Sequence, residues 1–318
     1  MDCTYGKRPK PAPDHTLAVS APRLLEGTPV ADEIRTEVRR RVRILHERGV
    51  DPTLGTVLMS DDPGDERFMA LKHAACEDVG IATRERHLDP FASETDLHRA
   101  VDELCADPAV HAVFVQVPLP DHVSTASVRR WLDPRKDVDC FHPENLGRLV
   151  GGRPRFVPAT TAAVCHLLAA YDVTVAGRDV VIVGRSGVIG LPLANRLLYD
   201  DEPGNATVTV CHSLTTDLAR KTRRADVLVT ACGVPELVDG SMLSTGVVVV
   251  DVSATRRSVD GVTEVVGDVE FESAREVAGA ITPVPGGVGP VTLATLLENV
   301  VVAAERQSTV GDDRHRQG

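Results

Sequence analysis

The stretch Pro283-Val284-Pro285-Gly286-Gly287-Val288-Gly289-Pro290 puts three prolines and three glycines into eight residues. Proline fixes φ and lacks a backbone donor, while glycine opens angles closed to other residues. Such a run is neither a helix interior nor a central strand. It is a stiff loop that exposes its own backbone. Its flanks are apolar, with Val277, Ala278, Ala280 and Ile281 before it and Leu293, Leu296 and Leu297 after it. A stiff loop between buried elements suits close approach to a flat ligand, and taken alone it equally suits an ordinary turn.

At 318 residues the chain is long enough for two domains with substantial cores. A net charge of −11 disfavours a general binder of phosphate backbones, so no nucleic acid is expected as a partner. No apolar run comes near the roughly 20 residues that span a bilayer, and no membrane association is expected. Residues 1–23 are rich in Pro and Lys/Arg without an apolar signal core, and read as a disordered extension. Residues 307–318 read as a disordered tail. Seven scattered cysteines without a C-x-x-C pair point to reduced thiols in a cytoplasmic protein and to no metal site. The chain has 30 Arg but only five Lys, at 7, 10, 72, 136 and 221. Lys loses its proton at accessible pH and Arg does not, so a lysine kept in such a chain draws notice. Lys72 and Lys136 lie in segments with other functional signals.

Ile34, Val38, Val42 and Leu45 follow helical spacing up to a stop at Gly49. A buried strand is predicted over Leu54 to Met59, then a helix from about Asp65 to Val79 with Asp65 as N-cap. Phe68 and Lys72 share a face of that helix. A strand over Ala112 to Val117 leads to Pro118-Leu119-Pro120. From Ala176 a second unit begins, with predicted strands at 179–184, 206–211, 227–231 and 247–252 alternating with helices. That alternation implies an α/β fold with a doubly wound parallel sheet.

Gly184, Gly187 and Gly190 follow the first of these strands and open a helix, a spaced variant of the dinucleotide fingerprint. Glycine lets the backbone approach a pyrophosphate, and a helix N-terminus offers unpaired N–H groups. A tight strand-to-helix turn without ligand has the same pattern. The next strand ends at Cys211-His212-Ser213, without the Asp or Glu that would hold an NAD ribose. Arg185, Ser186, His212 and Ser213 suit a 2′-phosphate instead, which favours NADP; His212 and Ser213 also suit the cap of the next helix. In the first unit Lys72, Gln116 and Asp139 are the polar groups assigned to a cleft. A lysine beside Phe68 suits proton transfer, a glutamine at a strand end suits orienting it, and an aspartate suits the donors of a heterocycle. Each also has an ordinary reading, as surface lysine, strand-edge side chain and turn former.

Taken together, the segments 68–81, 115–120, 136–149, 181–192, 206–218, 225–238 and 267–299 resemble the bifunctional methylenetetrahydrofolate dehydrogenase/cyclohydrolase family (the FolD type). The resemblance runs from about Leu25 to Ala304, and Ile281 to Pro290 is its most specific signature. It implies two α/β domains: a catalytic domain of residues 24–157 completed by 290–306, and a Rossmann-type NADP-binding domain of residues 158–289, with a folate cleft between them. It implies oxidation of 5,10-methylenetetrahydrofolate to the methenyl cation and hydrolysis of that to 10-formyltetrahydrofolate. Lys72 matches the family's catalytic lysine, Gln116 its partner, and Asp139 the aspartate that holds the pterin. Phe68, Pro283, Gly286 and Gly287 would line the substrate side, and the subunit would form a homodimer. Departures cluster near the cleft: Phe68 stands for a Tyr, Asp65 for a Ser, Thr161 for a Pro, and Cys140, Ala163 and Ser253 for glycines. These leave room for a specialised dehydrogenase with weak cyclohydrolase, or for a non-catalytic folate or nucleotide sensor. Cys140, next to Asp139, would shift the folate loop if that site needs a positive φ.

Overall fold

The computed structural model describes residues 22–259 and 262–315; of the segment 1–23 read as a disordered extension, residues 1–21 lie outside the described residues, while Arg23 pairs with Ala280 in a strand. The chain begins with strand β1 (Arg23–Leu24) and helix α1 (Gly27–Glu47). It continues through β2 (Thr53–Met59), α2 (Pro63–Val79), β3 (Ala82–Leu88), α3 (Glu94–Ala106) and β4 (Ala112–Val115). Strands β3-β2-β4 make a parallel sheet. All seven residues of central β2 are buried, as a strand covered on both faces must be. Edge strand β3 instead carries Arg84, Glu85 and Arg86, charges that discourage a further strand from pairing.

The connecting helices α4 (Thr125–Trp131), α5 (Pro143–Val150) and α6 (Ala159–Ala170) lead into the second unit. That unit comprises β5 (Asp179–Val183), α7 (Gly190–Leu197), β6 (Thr207–Cys211), α8 (Leu218–Thr222), β7 (Val227–Thr230), β8 (Val248–Asp251), the hairpin of β9 (Thr255–Val259) and β10 (Val262–Val266), α9 (Phe271–Arg275), β11 (Ala280–Ile281) and α10 (Val288–His315). Its six-stranded sheet, in the order β1-β11-β8-β7-β5-β6, is parallel throughout. From β5 the chain winds outward through β6 on one side and returns to β7 on the other. The crevice at the carboxyl ends of β5 and β7 is where such sheets bind ligands. The two-domain α/β architecture inferred from the strand and helix alternation is therefore the one observed.

Local chemistry sets the helix ends. The cap of α2 is Asp62, whose carboxylate accepts from the Gly64 and Asp65 N–H groups, with Pro63 at the first helical position. Asp65, the expected cap, lies one turn too late and instead accepts from the Ser60 hydroxyl at 2.7 Å. Gly80 closes the helix in the left-handed conformation at φ 82°.

Two long helices serve both cores. Leu25 just before α1, Val30 and Ala31 in its first turns, and Val288, Val291 and Ala294 at the start of α10 pack on the second sheet with Val180, Ile182 and Val229. Further along, Val38, Val42 and Leu45 of α1 and Leu296 to Ala304 of α10 pack on the first, with Leu54 and Ala112. Residues Val288–Ser308 have the length and the mean hydropathy, 1.3, to cross a bilayer, a stretch the sequence reading had not recognised. Over half of that stretch is buried against α1 and α6, the position of a core helix. Helix α10 runs on to His315, through most of the segment read as a tail.

The proline-glycine loop is fixed where these helices begin. Gly27 donates its N–H to the Gly286 carbonyl at 2.7 Å, and a Cβ on Gly27 would run into the Gly287 carbonyl oxygen. Gly27→Ala is expected to cost about 1–3 kcal/mol through overpacking; chemical denaturation measures it, and an unchanged midpoint would contradict this close approach.

Candidate active site

Lys72 projects from the middle of α2, and its Nζ donates to Gln116 Oε1 at 3.2 Å. Gln116 follows β4 directly. Its backbone N–H bonds to the Val57 carbonyl and its Nε2 donates to the Val117 carbonyl, so the amide is held with its oxygen toward the lysine. The Lys72 ammonium lies 4.8 Å from the Phe114 ring centroid and 5.9 Å from that of Phe68. Burial lowers its pKa from the ordinary lysine value, opposed by the charges of Asp139 and Asp65. Phe68 remains 51% exposed, an aromatic face offered to the cleft.

Asp139 is half-buried and accepts from the Ala159 N–H at 3.0 Å. Burial pushes its pKa up to about 6, with Asp137 adding to the rise and the Ala159 N–H and Lys72 opposing it. The turn carrying it is organised by Asp137, which accepts from the Phe141 and His142 N–H groups at 2.8 Å and from the Asn145 amide. Cys140 adopts φ 56°, a left-handed angle that favours glycine. The Cys140 backbone takes this angle with its thiol buried, and the Asp137 turn is hydrogen-bonded around it. Lys136 is separate from this group: its ammonium is buried on the far side and donates to the Asp107 carbonyl at 2.7 Å.

Pro283, Gly286 and Gly287 lie in the loop between β11 and α10. Gly286 has φ 106°, and a Cβ on Gly287 would lie 2.7 Å from the Pro283 oxygen and 2.8 Å from Thr282 Cβ. Both positions therefore require glycine, as the sequence suggested.

Across the crevice, Gly184 has φ 132°, and a Cβ there would meet the Ala231 carbonyl, while one on Gly190 would meet the Gly184 carbonyl. The loop is folded by Ser186, whose Oγ accepts from the Ile189 N–H and whose carbonyl accepts from Leu191. The N–H groups of Arg185, Ser186, Gly187 and Val188 donate to no protein acceptor among the described residues. Four unpaired donors in one glycine-rich turn fit the phosphates of a dinucleotide. Arg185 and Ser213 are exposed and His212 half-buried, with its Nδ1 accepting from the Leu214 N–H. Neither His212 nor Ser213 caps the next helix; Asp217 does, accepting from Arg220 N–H. No carboxylate stands at the end of β6 in the sequence Cys211-His212-Ser213, consistent with a 2′-phosphate.

The sequence reading missed a second buried group beside this crevice. Asp268, fully buried, accepts from the Cys232 and Val234 N–H groups, the Cys232 thiol and the Ser253 hydroxyl. Ser253, at a family glycine, also accepts from the Gly233 N–H. Asp251 lies nearby with its pKa pushed up to about 6, burial being the main cause. Nothing local announces this set, because its members are 15 to 36 residues apart.

A fold of two α/β units, one with a dinucleotide crevice and the other facing it with a desolvated lysine, defines an NADP-dependent oxidoreductase that holds its substrate between domains. The particular family follows from comparison with known proteins. The chain belongs to the tetrahydrofolate dehydrogenase/cyclohydrolase family: residues 25–139 match its catalytic domain and residues 158–308 its NAD(P)-binding domain. A bifunctional protein FolD of Haloquadratum walsbyi is 52% identical over 280 residues, covering 88% of this chain and 90% of that protein. One from Bordetella petrii is 47% identical over 291 residues, covering 92% and 97%. Among solved structures, the bifunctional enzyme FolD of Campylobacter jejuni matches with a TM-score of 0.85 at 39% identity, covering 90% of this chain and 99% of that one. The Trypanosoma brucei methylenetetrahydrofolate dehydrogenase-cyclohydrolase, solved with NADP and an inhibitor, matches with a TM-score of 0.85 at 36% identity, covering 90% and 98%. The family, fold and cofactor expected from sequence are thus borne out.

If Arg185 faces a 2′-phosphate, removing its charge should be selective between the two nicotinamide cofactors. Arg185→Ala is expected to weaken NADP by about tenfold or more, the scale of a lost charged hydrogen bond, and to leave NAD within about twofold. Titration of each cofactor checks this, and parallel losses would remove Arg185 from the 2′-phosphate.

Proposed function

We propose that the family's two reactions take place in this single cleft, with Lys72 managing the protons of the second. The substrate is 5,10-methylenetetrahydrofolate. Oxidation gives the methenyl cation, and its hydrolysis gives 10-formyltetrahydrofolate. The observation that carries the assignment is Lys72 Nζ held by Gln116 between two phenyl rings, with its pKa lowered by burial.

NADP, bound by Gly184, Arg185, Ser186, Gly187, Gly190, His212 and Ser213, supplies the hydride acceptor for the first reaction. The protein's part there is positioning. Asp139 accepts from the N–H edge of the pterin, and Phe68 stacks on the substrate. Pro283, Gly286 and Gly287 form a wall that admits a flat ring because no side chain projects from the glycines. In the second reaction water adds to the methenyl carbon. Neutral Lys72 takes a proton from that water and returns it to the ring nitrogen as the carbon–nitrogen bond opens, and the proton left on the new hydroxyl is released to solvent as the formyl carbonyl forms. Gln116 keeps the amine directed at the reacting carbon.

The fractionally neutral state of Lys72 has a measurable signature. Cyclohydrolase activity should rise with pH through a limb below the ordinary lysine range. Asp139 raises the lysine's pKa, so Asp139→Asn should move that limb to lower pH. A limb unmoved in this variant would separate the two groups. Lys72→Met should lower cyclohydrolase turnover by at least about 100-fold, the low end for a general base, with NADP affinity intact; undiminished hydrolysis would remove Lys72 from the mechanism. Phe68→Tyr should restore a donor beside the lysine and raise hydrolysis, and a folded variant with lower turnover would count against the lost phenol.

The reading extends to the protein's setting. The net charge of −11 argues against nucleic acid, and the six free thiols among the described residues suit a cytoplasmic protein. Placement of α10 in the core argues against a membrane role. Edge strand β6, with alternating exposed threonines, offers an open ladder to a second subunit, which supports a homodimer. Following reduced nicotinamide and the methenyl intermediate together decides among the activities. Reduction without methenyl build-up supports both. Methenyl lost only at its spontaneous rate leaves a specialised dehydrogenase, and binding without turnover leaves a sensor.

A further inference from the structure

Arg129 lies in the last turn of α4 in the catalytic domain, yet its guanidinium lies against the cofactor loop of the other domain. Nη1 and Nη2 are each 3.5 Å from the point where a Cβ on Gly187 would sit. The guanidinium carbon stacks 4.4 Å from the centroid of Phe141, which fixes its plane. Its Nε is buried and has no hydrogen-bond partner, and no carboxylate pairs with the guanidinium among the described residues. Arginines held this way are normally satisfied, because a partly desolvated cation without a counter-charge is costly. The neighbouring groups are the four unpaired N–H donors of residues 185–188. Cation and donors meet at Gly187 from opposite domains, and every one of them lacks an acceptor among the described residues.

We propose that Arg129 binds the diphosphate bridge of the nicotinamide cofactor from across the cleft. The ligand chemistry is a dianion with several acceptor oxygens in a short span, which a planar guanidinium and a nest of backbone donors recognise together. The 2′-phosphate is the less suitable target, since the residues assigned to it, Arg185, His212 and Ser213, belong to the loop's start and the next strand's end. Gly187 leaves the guanidinium in direct contact distance of the loop, since even a Cβ there would lie only 3.5 Å from Nη1 and Nη2. Cofactor binding then joins the domains through one ion pair as well as through the loop.

The inference presupposes the dinucleotide site, which NADP binding by the unaltered protein tests separately. Calorimetric titration of the full-length protein with NADP and with NAD reads the role of Arg129 directly. Arg129→Leu keeps an apolar contact with Phe141 and removes the charge. It should weaken both cofactors by a similar factor, about tenfold or more, while Arg129→Lys loses less. Inorganic pyrophosphate should compete with NADP on the unaltered protein and lose at least as large a factor in Arg129→Leu. Unchanged affinity in a folded Arg129→Leu variant overturns the proposal. So does a loss confined to NADP, which would make the 2′-phosphate the target. An equal loss of tetrahydrofolate affinity also overturns it, as the mark of a distorted cleft. If Arg129→Leu shows no cooperative melting, the same titrations on Arg129→Lys and Arg129→Gln decide the matter by the same criteria.

Discussion

The packing of α1 against α10 is the contact on which the rest depends. Each helix spends its first turns on the dinucleotide sheet and its later turns on the catalytic sheet, and the two lie side by side along the way. The cleft is whatever space this pair leaves between the sheets. Its floor, the Pro283–Gly287 loop, is tied to the first residue of α1 by the Gly27–Gly286 hydrogen bond. Positions of reacting groups are therefore set by helix packing, which is stiff, and not by the shorter contacts across the cleft.

Electrostatics in the cleft follow from desolvation more than from pairing. Burial is the leading cause of the shift at Lys72 and at Asp139, in opposite directions, and each partly offsets the other. The result is an amine and a carboxyl that both change state nearer neutrality than their ordinary values allow. Cys140 makes the same point about conformation. Its backbone takes a left-handed angle worth roughly 1–2 kcal/mol for a residue with a Cβ, and the three donors that hold Asp137 and its turn make that tolerable.

Much of this was legible in the sequence because it is local. Apolar runs marked β5, β7 and β8, and the glycines at 184, 187 and 190 marked the loop between strand and helix. Lys72 and Phe68 announced a shared face by their four-residue spacing. Element ends were less legible: Asp62 and Asp65 are both good caps, and only Pro63 at the first helical position separates them. The β9–β10 hairpin is not among the strands predicted above, although Asp-Gly ahead of the β-branched run Val262–Val266 is a local signal for one. Long-range groups left no trace. Asp268 gathers donors from Cys232 to Ser253, and Arg129 meets a glycine 58 residues later. No periodicity records such meetings, because they are made by the tertiary fold.

The shared helices carry a consequence for how this protein is inherited. Domains joined by a flexible tether can be exchanged, split between genes or produced alone. Here a cut near residue 158 would strip each half of part of its own core. The catalytic half would lose Leu296 to Ala304, and the dinucleotide half would lose Leu25, Val30 and Ala31. Each fragment would expose an apolar seam built to be covered by the other. The two activities thus travel as one indivisible unit, and their coupling is a property of the chain's covalent continuity.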